Sequence, residues 1–275
     1  MLRMNHPLPG IHGEALVDGV RLETLQLAGN PRRPVLVFLH EGLGSVSMWN
    51  SRDGYWPQHI CEATGHAGLV YSRRGYGQSD PIADVRGAGR LGADYMHAQA
   101  LRTLPALLHA LGIREPVLIG HSDGATIALL HASDHPVAAC AVLAPHVMVE
   151  DISLQAIARA REAYQQGGLR ERLARHHADV DSAFWQWHDV WQSDAFRHFD
   201  IRSDCRRITA PVLAIQGLDD AYGTLRQIEE IAPTRGHFEM LALPDCGHSP
   251  HKDQPAAVSR RLCEFIGSLS QPRPA

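Results

Sequence analysis

Short apolar runs alternate along this chain with stretches whose apolar residues recur at helical spacing. The runs fall at 34–39, 68–71, 117–119, 138–143, 211–215 and 237–243. The run at 34–39 is apolar at successive positions, as a strand buried on both faces of a parallel sheet is. Ahead of it, residues 14–28 alternate about Asp18-Gly19, a strong hairpin signal. Helical spacing predicts helices over 56–63, 93–111, 123–133, 225–231 and 256–269, with Pro105 kinking the second and Gly112 ending it. Between 147 and 205 the rhythm breaks: there is no good strand, and 153–166 (Ser153 as its N-cap), 169–177 and 182–192 read as helices. The pattern predicts an α/β fold with a doubly wound, mostly parallel sheet. Its core is 1–146 and 206–275, and 147–205 is an inserted helical lid.

In such a sheet, ligands sit at the C-terminal ends of the strands. Four loops there carry reactive groups: 40–45, 120–124, 217–220 and 245–251. The second, Gly120-His121-Ser122-Asp123-Gly124, lies where a strand turns into a helix. Gly120 and Gly124 remove the side chains that would collide in so tight a turn, leaving the Ser122 hydroxyl clear of the sheet beside a helix N-terminus.

With these four loops in this order, the chain resembles the α/β-hydrolase superfamily over nearly its whole length, in its serine hydrolase branch with a helical lid. The resemblance implies an α/β-hydrolase fold and a triad of Ser122 as nucleophile, His248 as base and an acid after a later strand. The family places that acid three residues after the glycine ending the strand, which favours Asp220 over its neighbour Asp219. His248 stands in the family-like context Asp-Cys-Gly-His-Ser-Pro. The two oxyanion N–H groups are expected from Asp123 and Gly42. Relatives carry His-Gly-x-Pro-Gly where this chain reads His40-Glu41-Gly42-Leu43-Gly44, so Glu41 departs from the pattern. It either turns to solvent, bonds the loop or touches substrate. The Asp123 side chain is expected to point away from the oxyanion, to a backbone donor or a basic partner. His121 is expected to pack or orient. Haloalkane dehalogenases and epoxide hydrolases of this fold place Asp where Ser122 stands, so acyl chemistry is favoured.

In the lid, Phe184, Trp187 and Trp191 share one helix face, which packs the lid on the core and offers rings to an apolar or aromatic acyl pocket. His146 and Tyr222 are further candidates for that pocket. The expected function is hydrolysis of a small carboxylic ester or related acyl compound, with no cofactor and no metal. A carbon–carbon bond hydrolase, a lactonase or a CoA thioesterase would use the same triad; the last would draw on Arg73, Arg74 or the lid arginines 159, 161, 170 and 172. A hydrolase-fold ligand receptor with an idle triad is the reading from another class.

Composition narrows the partners. The 275 residues carry a net charge of −4, which gives no basic field for nucleic acid or anionic membrane. No 18-residue apolar run suggests a spanning helix, and 1–7 lack the apolar core of a signal peptide. Five scattered cysteines without a Cys-x-x-Cys pair suit a reducing cytoplasm. The 18 histidines form no helical ligand motif; His176-His177 with Asp179 is the nearest cluster. A small molecule is therefore the expected partner, and oligomeric state, a homodimer included, is left open.

Overall fold

The computed structural model describes residues 8–51, 54–232 and 235–269; the expectation about 1–7 lies outside them. Eight strands form one sheet: β1 (Ile11–Val17), β2 (Val20–Leu27), β3 (Leu36–Leu39), β4 (Gly68–Tyr71), β5 (Val117–His121), β6 (Ala139–Leu143), β7 (Val212–Gly217) and β8 (Phe238–Leu243). They lie in the order β1-β2-β4-β3-β5-β6-β7-β8. The pairs β1·β2 and β2·β4 are antiparallel, and every pair from β4 onward is parallel. The hairpin closes at Asp18 and Gly19, both at positive φ (51° and 78°), the two-residue turn whose twist matches the strands it joins.

Side chains from the central strands feed two separate cores by simple alternation. Val37, Leu39, Leu118 and Val142 face one, with the helices Leu104–Ala110 and Asp123–Asp134. Leu36, Phe38, Val117, Ile119 and Ala141 face the other, with the helices Trp56–Thr64 and Pro255–Ser268. A strand with apolar residues at every position is the sequence of a sheet covered on both sides.

Three helices differ from expectation for local reasons. The stretch expected as one helix over 93–111 is divided into Tyr95–Ala98, a π-helical turn at Gln99–Thr103, and Leu104–Ala110. Pro105 has no N–H to donate, and the widened turn before it absorbs the mismatch. The helix expected from Ser153 starts instead at Asp151, and the Ser153 hydroxyl donates to the Tyr222 carbonyl at 2.5 Å. The helix expected to reach His177 stops at Leu173. His177 is drawn away, its Nδ1 accepting from the Gly77 N–H at 2.9 Å and its Nε2 donating to the Leu43 carbonyl at 3.0 Å. His176 meets the Ser47 hydroxyl, and Asp179 caps Val180–Trp191 by accepting from the Ser182 N–H. The His176-His177-Asp179 cluster thus joins the helical insertion to the core loops.

Candidate active site

The sharp turn after β5 exists because glycine flanks it. Ser122 takes φ 53° and ψ −120°, a backbone state few residues adopt unless their surroundings hold them there. A Cβ on Gly124 would lie 2.1 Å from the Leu39 carbonyl oxygen, and one on Gly120 would lie 2.4 Å from that of Gly124. Both obstacles are backbone, so neither yields cheaply. Gly124→Ala is therefore expected to cost about 3 kcal/mol of stability, read as a lower urea midpoint at unchanged m.

A third glycine brings the histidine in. The loop after β8 crosses the end of β7, where a Cβ on Gly217 would meet the main-chain oxygens of Cys246 and Gly247. The Asp219 N–H donates to the Cys246 carbonyl, stitching the two loops together. His248 then stands with Nε2 2.9 Å from Ser122 Oγ and Nδ1 2.9 and 2.8 Å from the two oxygens of Asp220. The carboxylate accepts at Nδ1, so that nitrogen carries the proton and Nε2 turns its lone pair to the hydroxyl.

Asp220 is held firmly. Its side chain is wholly shielded, and it accepts from the Tyr222 N–H and from Gln216 Nε2, both at 2.7 Å. Burial pushes its carboxyl upward, but hydrogen bonds from His248 and the Tyr222 N–H outweigh that and hold it below the usual carboxylate range. Asp219 is exposed and makes its loop contact through its main chain alone.

Two residues expected to offer main-chain N–H groups, Gly42 and Asp123, border the same cavity as Ser122. Asp123 is the first residue of the helix Asp123–Asp134, where N–H groups lack helical partners. Gly42 sits on the loop after β3. Neither N–H meets an acceptor among the described residues. Gly42 must be glycine, because a Cβ there would lie 2.3 Å from Trp187 Nε1. The indole thus rests on the loop.

The two acids beside these N–H groups go to partners that sequence patterns do not reveal. Asp123 Oδ2 accepts from the Tyr95 hydroxyl at 2.6 Å, and the Tyr95 hydroxyl oxygen in turn accepts from Trp191 Nε1 at 3.0 Å. Burial raises the Asp123 carboxyl above its ordinary value despite the nearby charge of Arg73. Arg73 is itself buried, with its guanidinium donating to the His40 and Glu41 carbonyls and lying over the Tyr76 ring. Glu41 Oε2 lies 3.4 Å from His121 Nδ1, while His121 Nε2 donates to the His248 carbonyl at 2.7 Å. His121 therefore orients the loop of His248 through its main chain.

A cavity of about 220 Å³ opens over Ser122. Glu41, Gly42, Asp123, His146, Trp187, Trp191, Tyr222 and His248 all border it. Phe184 does not. It is wholly buried and stacks on Tyr164 with ring centroids 3.8 Å apart, within the helical insertion. Phe184 lies on the same helix face as Trp187, but Tyr164 covers its ring within the insertion and keeps it from the cavity. Leu43, Ile157 and Ser249 also border the cavity and carry no sequence signal of their own. His146 is kept neutral, its pKa pushed down to about 3, chiefly by burial.

A family model described as the alpha/beta hydrolase family matches residues 36–261. RutD of Variovorax paradoxus (strain S110), provisionally named a carbamate hydrolase, is 25% identical over 260 residues, spanning 86% of this chain and 93% of that protein. Among solved structures, a membrane phospholipase A described as a bacterial virulence factor superposes with a TM-score of 0.75 at 20% identity, covering 95% of this chain and 87% of that one. The enol-lactonase of Burkholderia xenovorans LB400 superposes with a TM-score of 0.70 at 19% identity, covering 93% of this chain and 100% of that one. At such identities the superpositions show a shared fold and leave the substrate open.

Proposed function

Because the chain belongs to the alpha/beta hydrolase family, and is a hydrolase of that kind, we propose that it cleaves a small carboxylic ester or related acyl compound through a Ser122 acyl-enzyme. The observation that carries this reading is the unbroken chain from Ser122 Oγ to His248 to Asp220, with every link between 2.8 and 2.9 Å. His248 takes the hydroxyl proton as Ser122 attacks the carbonyl, and later returns it to the leaving group. Asp220 stabilises the imidazolium that forms between those steps. The N–H groups of Gly42 and Asp123 receive the developing oxyanion. The cavity suits an acyl group with an apolar or aromatic part, lying against Trp187, Trp191 and Tyr222 under a lid made by the insertion.

Fluorophosphonate labelling of Ser122, followed by a panel of esters, lactones and acyl-CoAs, tests the proposal. Acyl-CoAs are expected to be poor substrates. Arg73 is buried, Arg170 is paired with Asp181 at 2.8 Å, and among the described residues no Lys or Arg borders the cavity to meet the CoA phosphates. A lactonase would use the same groups and is distinguished within the panel. A ligand receptor would label at Ser122 yet retain its ligand without turnover. The same proposal places the enzyme in a reducing compartment such as the cytoplasm, since all five cysteines are free thiols and four are buried.

The reading also fixes the shape of the pH profile. On its acid limb kcat/KM is expected to fall about tenfold per pH unit, because a single proton on the base stops it from accepting another. The Asp220 carboxyl lies below its ordinary range and His146 at about 3, so neither adds a second proton on that limb. A flat profile with chemistry rate-limiting would remove His248 from the base role, and a limb of slope two would show a second group taking a proton.

A further inference from the structure

Glu41 has half of its carboxylate unused, and it faces the cavity that holds the reactive serine. Its Oε2 is the oxygen near His121 Nδ1, and Gly44 makes room for it: a Cβ there would lie 2.5 Å from Oε2. No donor reaches Oε1 among the described residues, and no ion pair joins Glu41 to Lys252, whose charge acts on it only through space. The side chain keeps 18% of its surface accessible while bordering the cavity. An ionised carboxylate in so enclosed a place is costly unless a donor meets it. Trp187, Trp191 and Tyr222 border the same cavity, and aromatic rings of this kind attract a cation. Among the described residues no Lys or Arg borders the cavity to compete for that place.

Resting on the acyl-hydrolase reading above, we propose that Glu41 is a specificity-determining residue that receives an ammonium group on the acyl part of the substrate, so that the preferred substrates are small amino-acyl esters. Glu41, Gly42 and Ser122 border one cavity of about 220 Å³, so an acyl group attacked by Ser122 shares that small space with the Glu41 side chain. Burial would drive the Glu41 carboxyl upward, but the Lys252 ammonium and the His121 ring beside it outweigh that and hold it well below the usual carboxylate range. A carboxylate-bearing acyl group would meet Glu41 with like charge and is disfavoured.

The test compares isosteric esters of one alcohol: aminoacetyl, 3-aminopropanoyl and 4-aminobutanoyl against propanoyl, butanoyl and pentanoyl, each rate divided by that of hydroxide-catalysed hydrolysis. For at least one chain length the amino ester is expected to show kcat/KM about tenfold or more above its alkyl isostere, with that ratio falling toward one in Glu41→Gln. No preference at any length, or a preference that survives Glu41→Gln, overturns the inference. Equal slowing of both series leaves the ratio intact and overturns it too, since that is what a purely loop-supporting Glu41 would do. Butylammonium against butanol, titrated into wild type and Glu41→Gln by tryptophan fluorescence, reads the ammonium site without turnover. If no ester is cleaved in a Ser122-dependent way, the acyl-hydrolase reading fails, while the titration still shows whether Glu41 takes an ammonium group.

Discussion

Ser122→Ala is expected to lower kcat/KM by roughly four to six orders of magnitude and to abolish fluorophosphonate labelling, with the fold intact. The reason lies in what the substitution leaves behind. His248, Asp220 and the two N–H groups stay in place, so substrate still binds and the oxyanion is still met, but no oxygen is poised for attack. The backbone tolerates the change, because alanine at φ 53° meets the same strain that serine already meets. Circular dichroism and the thermal midpoint should therefore match wild type within experimental error. Undiminished ester hydrolysis by a folded Ser122→Ala protein would sink the covalent mechanism.

Exchanging the buried acid is expected to be nearly as damaging. Asp220→Asn should reduce kcat by roughly three to four orders of magnitude, while Asp219→Asn keeps at least about a tenth of wild-type activity. Asp220 accepts from three donors: His248 Nδ1, the Tyr222 N–H and Gln216 Nε2. An asparagine offers one acceptor oxygen and an NH₂ group that must face one of those donors. If the NH₂ faces His248, the ring turns its lone pair to Nδ1 and presents a proton to Ser122, the wrong tautomer for a base. If it faces Gln216, two donors oppose one another in a shielded site and the loop shifts. Asp219 projects outward, and the main-chain bond from its N–H to the Cys246 carbonyl survives substitution. Single-turnover acylation measured on both variants checks the ranking, and the reverse order would move the acid to Asp219.

The elements carrying these groups were legible because each is written locally. A fully apolar run such as Leu36–Leu39 has only one comfortable place, inside a covered parallel sheet. Gly120 and Gly124 around Ser122 announce a turn that side chains could not enter, and Asp18-Gly19 announces its hairpin. Helix ends were less legible. Pro105 signalled a break but not the π-helical turn that accommodates it. Leu169–Leu173 stops early because His177 is claimed by Gly77 and Leu43, far away along the chain.

The sequence by itself determined the α/β alternation, the turn bearing Ser122, and the order in which serine, acid and histidine follow one another. These depend on periodicity, glycine placement and motif order, all of which are properties of neighbours in the chain. Tertiary structure decided which of two adjacent aspartates meets His248, since side chains one residue apart diverge and only Asp220 turns inward. It also decided that Asp123 is answered by Tyr95 and Trp191, that Arg73 is enclosed beneath the loop of Glu41, and that Trp187 closes on Gly42 while Phe184 stacks on Tyr164. Each is a contact between groups far apart in sequence, fixed by how the covering helices pack on the sheet, and packing of that kind leaves no periodic trace in a single chain.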